Sequence, residues 1–81
     1  MQKLANLLIG DKGEMYSISD KDLEQKLLEM GCTPGEKIEV TRKAPFGGPI
    51  AILVYSYVLS IRKEDAMKIE IKYCDDEKKQ D

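Results

Sequence analysis

No histidine and no tryptophan occur among the 81 residues, and phenylalanine occurs once. Without histidine the chain lacks the side chain used most often as a general base, and the commonest transition-metal ligand with it. One Phe and four Tyr spread along the chain do not make the aromatic groove that a proline-rich peptide needs. Positive charge is also short: 13 Lys and Arg stand against 15 Asp and Glu, a net charge of -2. Nucleic acid is therefore not an expected partner, since phosphate contacts call for a basic surplus. The two cysteines, Cys32 and Cys74, form no C-x-x-C and read as free thiols of a reducing compartment. No stretch approaches the roughly 20 apolar residues of a membrane span. The opening MQKLANLLIG lacks the apolar core and cleavage site of a signal peptide. A soluble, cytoplasmic chain without direct membrane insertion is expected. Gly47-Gly48 lies between prolines with no lysine-bearing helix after it, which excludes a phosphate-binding loop.

What remains is ordinary globular composition, 42% hydrophobic and 35% charged. That supports one small domain over residues 1–74, and DDEKKQD at 75–81 reads as a disordered acidic and basic tail.

Residues 1–9 are expected as an extended segment or short turn laying Leu4, Leu7 and Leu8 on the domain. Gly10–Gly13 forms a turn, and Glu14–Ile18 suits a short strand. A helix over Asp20–Met30 is the best-marked element. Ser19 is placed as its N-cap with Asp22 reaching back, and Leu23, Leu27, Leu28 and Met30 share its apolar side. Gly31 suits the left-handed stop, after which Cys32 packs back on Leu27. Thr33-Pro34-Gly35-Glu36 is a type II turn signature. Lys37–Lys43 alternates as a strand with Ile38 and Val40 inward. Ala44–Pro49 is a corner, Ile50–Tyr55 a second strand, and Tyr57–Ile61 a third after a kink at Ser56. Lys63–Met67 is a helical turn and Lys68–Tyr73 a last strand. Short strands at close spacing with one helix point to a mainly β fold, a small partly open barrel.

LLEMGCTPGEKIEV, RKAPFGGPIAI and YVLSIRKEDAMKIEI together resemble the FeoA family, ferrous iron transport protein A. The family pattern runs L-x-x-[ML]-G-[LI]-x-P-G, then A-P-[LF]-G-x-P, then a tyrosine leading into L-[AS]-[LI]-R-x-x-[ED]-A. Leu27, Met30, Gly31, Pro34, Gly35, Ala44, Pro45, Gly47, Pro49, Tyr57, Leu59, Ile61, Arg62 and Ala66 occupy pattern positions. The resemblance implies an SH3-like β-barrel that works in the cytoplasm with the membrane GTPase permease FeoB in ferrous iron uptake. From the residues themselves, no catalytic group, no cofactor and no resident metal are expected. Three departures stand out: Gly48 where an acidic residue is frequent, Ser56 where glycine is usual, and apolar Ala51, Leu53, Tyr55 and Val58 where charged residues are common.

By alternation Ile50, Ile52 and Val54 face the core, leaving Ala51, Leu53 and Tyr55 outward. This outward apolar set is either covered by the Leu4–Ile9 segment or is a contact surface, for a homo-oligomer or another protein. The partner surface expected from the sequence comprises Leu27, Met30, Cys32, Pro45, Phe46, Leu53 and Tyr55. Two other readings compete with an accessory role beside FeoB. One is a metal-responsive regulatory SH3-like module contacting an iron-dependent repressor. The other is a small metal-binding chaperone using Cys32, Cys74 and carboxylates.

Overall fold

Residues alternating between apolar and polar along six short segments make one curled antiparallel sheet. A computed structural model describes residues 1–73 of the chain. The strands are β1 (Gln2–Lys3), β2 (Lys12–Ile18), β3 (Lys37–Lys43), β4 (Ile50–Val54), β5 (Tyr57–Ile61) and β6 (Ile69–Tyr73). The helix α1 (Lys21–Glu29) follows β2, and the single turn α2 (Lys63–Ala66) follows β5. The spatial order is β1-β6-β2-β3-β4-β5, every pair antiparallel. Register shifts at Met15/Ser17 and Val40/Arg42 bend β2 and β3, the local device by which a sheet curls toward a barrel. The expected tail at 75–81, and Cys74, lie outside the described residues.

The core matches the alternation. Ile38, Val40, Ile50, Ile52, Val54, Ile69 and Ile71 are buried from three strands, and Met15, Leu23, Leu27, Cys32, Ile61 and Ala66 complete it. Each fully buried aliphatic side chain of this kind contributes about 1.5–3 kcal/mol. The N-terminal segment also enters the core. It forms β1 and a 3-10 turn over Leu4–Asn6, burying Leu4, Ala5 and Leu7. Lys43 Nζ fixes it by donating to the carbonyls of Ala5 at 3.2 Å and Leu7 at 2.8 Å. The Lys3–Glu70 ion pair at 3.1 Å matches the register of β1 on β6. Leu8 corrects the expectation: it is 68% exposed, because Asp11 accepts its amide at 2.7 Å and turns the chain away from the core.

The helix is one residue shorter at each end than expected, and its cap differs. Asp20, not Ser19, accepts the Leu23 amide at 3.0 Å, and Asp20 also pairs with Lys68 at 3.0 Å. Only Leu23 and Leu27 are buried on α1; Leu28 and Met30 are 53% and 37% exposed. A helix of nine residues laid across a small barrel covers one i, i+4 row, and Leu28 falls beside that row. The C-terminal stop is as expected. Gly31 has φ +80, its amide bonds Leu28 O at 3.0 Å, and the Cys32 amide bonds Leu27 O at 2.8 Å, the double bond of a Schellman motif.

Gly13 meets a different constraint, since a Cβ there would overlap the Ile71 side chain and lie 2.9 Å from Lys72 O. The turn at Thr33–Glu36 closes with Glu36 N to Thr33 O at 3.0 Å and Gly35 at φ +100. At Ser56 the chain reverses fully and does not merely kink. Val54 pairs with Tyr57, so Tyr55-Ser56 is a two-residue hairpin loop, and Tyr55 takes φ +57 to match strand twist.

Two outcomes follow from these ends of α1. Gly31→Ala forces an alanine into the left-handed region and against the Tyr57 hydroxyl 2.9 Å away, costing about 1–2 kcal/mol. Thermal unfolding should show a midpoint several degrees lower for that variant. The Asp20 carboxyl is held below its ordinary value of 3.8 by the Leu23 amide and then by Lys68. A carboxyl lowered by folding adds stability above its unfolded value, and this is lost as pH falls through the folded value. Urea unfolding should therefore find Asp20→Ala destabilised at pH 7, with the difference from wild type closing as pH drops below 3.8.

Candidate partner surface

The seven residues expected at a contact surface separate into three groups. Leu27 and Cys32 have no exposed surface, which corrects their assignment. Both belong to the Schellman stop, and the apolar side of that stop faces the core. Cys32 Sγ lies 3.7 Å from Met15 Sδ. Burial, with the Glu36 charge adding to it, pushes the thiol up to about 11, so Cys32 stays a neutral packing group at physiological pH. Met30 sits at the rim, and its carbonyl accepts the Tyr57 hydroxyl at 2.6 Å. That bond joins the end of α1 to β5.

Leu53 and Tyr55 form the second group. Leu53 is half-buried on the outer face of β4, and Tyr55 is 69% exposed in the hairpin loop after it. They line a groove of about 490 Å³ whose floor is Gly13 and Ile38 and whose rim carries Lys12, Glu36, Lys37 and Glu39. Gly35 also lines it. The Tyr55 hydroxyl donates to the Glu36 carboxylate, which raises the phenol above its ordinary value. The Tyr55 and Tyr57 rings stand 6.5 Å apart, tilted by 31°. Apolar Ile38, Leu53 and Tyr55 thus stand among side chains of both charge signs. The Leu4–Ile9 segment does not cover this face: Leu4 and Leu7 pack into the interior with Ile52 and Val54.

The corner is the third group. Pro45 is exposed and Phe46 is fully exposed at 104%. Phe46 has φ +58, a conformation costly for a bulky residue, and the corner is closed by Ala44 N to Pro49 O at 3.0 Å and Gly48 N to Pro45 O at 3.1 Å. The fold thus holds an aromatic side chain outward on a braced loop. The length of β4, roughly 17 Å for five residues, separates Phe46 from the Leu53–Tyr55 groove. These residues make two patches, not one surface.

Further exposed apolar side chains are Leu8, Ile9, Leu28 and Val58. Leu28 lines a second cleft, of about 420 Å³, with Lys21, Glu24, Gln25, Thr33 and Pro34. Val58 stood out in the sequence as an apolar residue where the family commonly carries charge, whereas Leu8 and Ile9 carry only the Gly10-Asp11 turn after them as a signal. Among the described residues no group of three or more Cys, Asp or Glu side chains is placed to hold a metal ion. No helix among them is long and apolar enough to cross a membrane.

Comparison with known proteins places this geometry. The family model described as FeoA domain matches residues 2–73. A Porphyromonas gingivalis (strain ATCC BAA-308 / W83) protein, named as a fusion of Fe(2+) transport protein A and Fe(2+) transporter FeoB, is 34% identical over 71 residues, covering 86% of this chain. The chain spans 8% of that relative's length. A crystal structure of an iron uptake regulatory protein, FeoA, is similar at 35% identity and a TM-score of 0.78, over 89% of this chain and 94% of that one. Stenotrophomonas maltophilia FeoA complexed with zinc, described as a prokaryotic SH3 domain protein, shares the fold. Its TM-score is 0.75 at 21% identity, over 89% and 91% of the two chains. A curled six-stranded sheet with one capped helix, matched over nearly its whole described length, makes this chain a member of the FeoA family with an SH3-like fold.

Proposed function

We propose that this protein is a cytoplasmic accessory of ferrous iron uptake that acts by contact with the cytosolic side of a FeoB-type GTPase permease. The observation carrying this reading is the fusion relative, in which a segment 34% identical to this chain is joined to a Fe(2+) transporter FeoB. Fusion raises the local concentration of two modules that must meet, and a separate chain must supply the same meeting by surface affinity. The Leu53–Tyr55 groove and the Phe46 corner are the features suited to that task. Aromatic and large apolar side chains dominate binding energy where they fill pockets on a partner.

The role is non-enzymatic. No histidine is present, and the one described thiol is buried and protonated. Glu64, exposed, and Asp65, half-buried, lie beside Arg62 at 3.9 and 3.6 Å at the start of α2. Hydrolysis of GTP in such a system belongs to the permease.

Calorimetric titration of the permease's cytosolic GTPase domain with this chain should give saturable binding. Phe46→Asp and Leu53→Glu should each weaken it by about tenfold or more, with thermal midpoints near that of the wild type. Absence of binding, or binding indifferent to both substitutions, would contradict the assignment. A Leu53→Glu protein that melts like a core variant would instead place Leu53 inside the fold.

A further inference from the structure

β5 is an open edge of the sheet. Among the described strands β4 alone is bonded to it. The register from Val54–Tyr57 to Ile50–Ile61 is regular, without a bulge. Because a two-residue loop joins the strands, Val54–Tyr57 is a hydrogen-bonded pair, and alternation makes Ile52–Leu59 and Ile50–Ile61 bonded pairs as well. The N–H and C=O groups of Val58 and Ser60 therefore point away from β4. No turn, loop or cap bond of the described chain reaches them.

Soluble proteins usually blunt such an edge with charge, proline, a bulge or shortness, since it templates another strand. The opposite edge follows that rule: β1 has two residues, one of them Lys3 paired with Glu70. β5 has none of these devices. Its sequence is YVLSI, with no charge and no proline. Val58 is 58% exposed on its outer face, and Leu59 is only partly covered on its inner one.

We propose that a second copy of this chain pairs with the β5 edge, antiparallel, about a two-fold axis at Leu59. In that register Val58 faces the partner's Ser60 as a hydrogen-bonded pair, and the axis repeats the exchange. Leu59 faces the partner's Leu59 on the core side, and Tyr57 faces the partner's Ile61. The strand itself argues for this occupant. It is apolar at both ends and uncharged throughout, so reversing it against itself opposes no like charges and sets apolar side chains on apolar ones. The two sheets then run on as one, and the half-covered Leu59 is closed over. The contact is through the strand edge, distinct from the outer face of β4, and it goes beyond the permease reading: either can fail with the other intact.

Sedimentation equilibrium of the full chain from micromolar to millimolar concentration tests the pairing, together with Val58→Lys and Ser60→Pro. Both positions are exposed, and the Ser60 amide faces away from β4, so proline there removes no bond of the ladder. The wild type should pass from monomer to dimer, and each variant should shift the midpoint upward by at least about tenfold. Amide hydrogen exchange in the wild type gives a readout without substitution: Val58 and Ser60 should slow as concentration rises, while Leu59, already bonded to β4, should not. A monomer at every concentration, or a dimer unaffected by both variants, overturns the proposal. Protection of Val58 and Ser60 only when the permease's cytosolic domain is added also overturns it, since the edge then belongs to another chain.

Discussion

The stop at Gly31 is the constraint on which the rest of the molecule depends. A short helix must end within a residue or two of a fixed place, so that the chain can enter β3 at the right height on the barrel. Gly31 supplies the left-handed turn, Leu27 and Leu28 give up their carbonyls to it, and Cys32 drops into the core beside Met15. The Tyr57 hydroxyl then bonds the carbonyl of Met30. One bond thereby couples the helix end to β5, on the far side of the hairpin. The same device consumes Leu27 and Cys32 as core residues and leaves Met30 at the rim.

With the core assigned to these residues, function is left to what the barrel shows outward. The outer face of β4 and the hairpin loop present Leu53 and Tyr55 along a groove that Gly13 and Ile38 also line. The corner before β4 presents Phe46 in a conformation that costs free energy to hold. Neither patch assembles reacting groups. Each offers apolar surface bounded by backbone or charge, as a protein-binding module does. On the proposed reading, a FeoA-family chain whose relative is joined to FeoB contributes shape and contact.

Local signals made the turns and strands readable from residues alone. Pro34-Gly35, Gly31 and the Pro45–Pro49 corner each demand one backbone conformation, and the alternation in β3 and β4 places Ile38, Val40, Ile50, Ile52 and Val54 without reference to anything distant. The misses came from partners and backbone conformations that no local pattern marks. Leu8 looked like its buried neighbours, but Asp11 pulls its amide outward, and the N-terminal segment is held by Lys43, far along the chain. Leu28 and Met30 fit an apolar helix side, yet the barrel offers room for a single row. Ser19 and Asp20 are both good caps; Lys68, contributed by the approach to β6, favours Asp20. Tyr55 concealed a hairpin because it takes a positive φ without being glycine. The outward side chains were half legible: Phe46 and Tyr55 are exposed and Leu53 is half-buried, whereas Leu27 and Cys32, expected beside them, are buried.

The central claim is that this protein serves iron uptake through its outward surface alone. Ferrous iron uptake by cells lacking the native gene and supplied with the Phe46→Asp, Leu53→Glu double variant tests it most directly, provided the variant protein is shown to be folded and as abundant as the wild type. The account predicts uptake reduced to that of cells with no copy of the gene. Full uptake with both patches altered would contradict it.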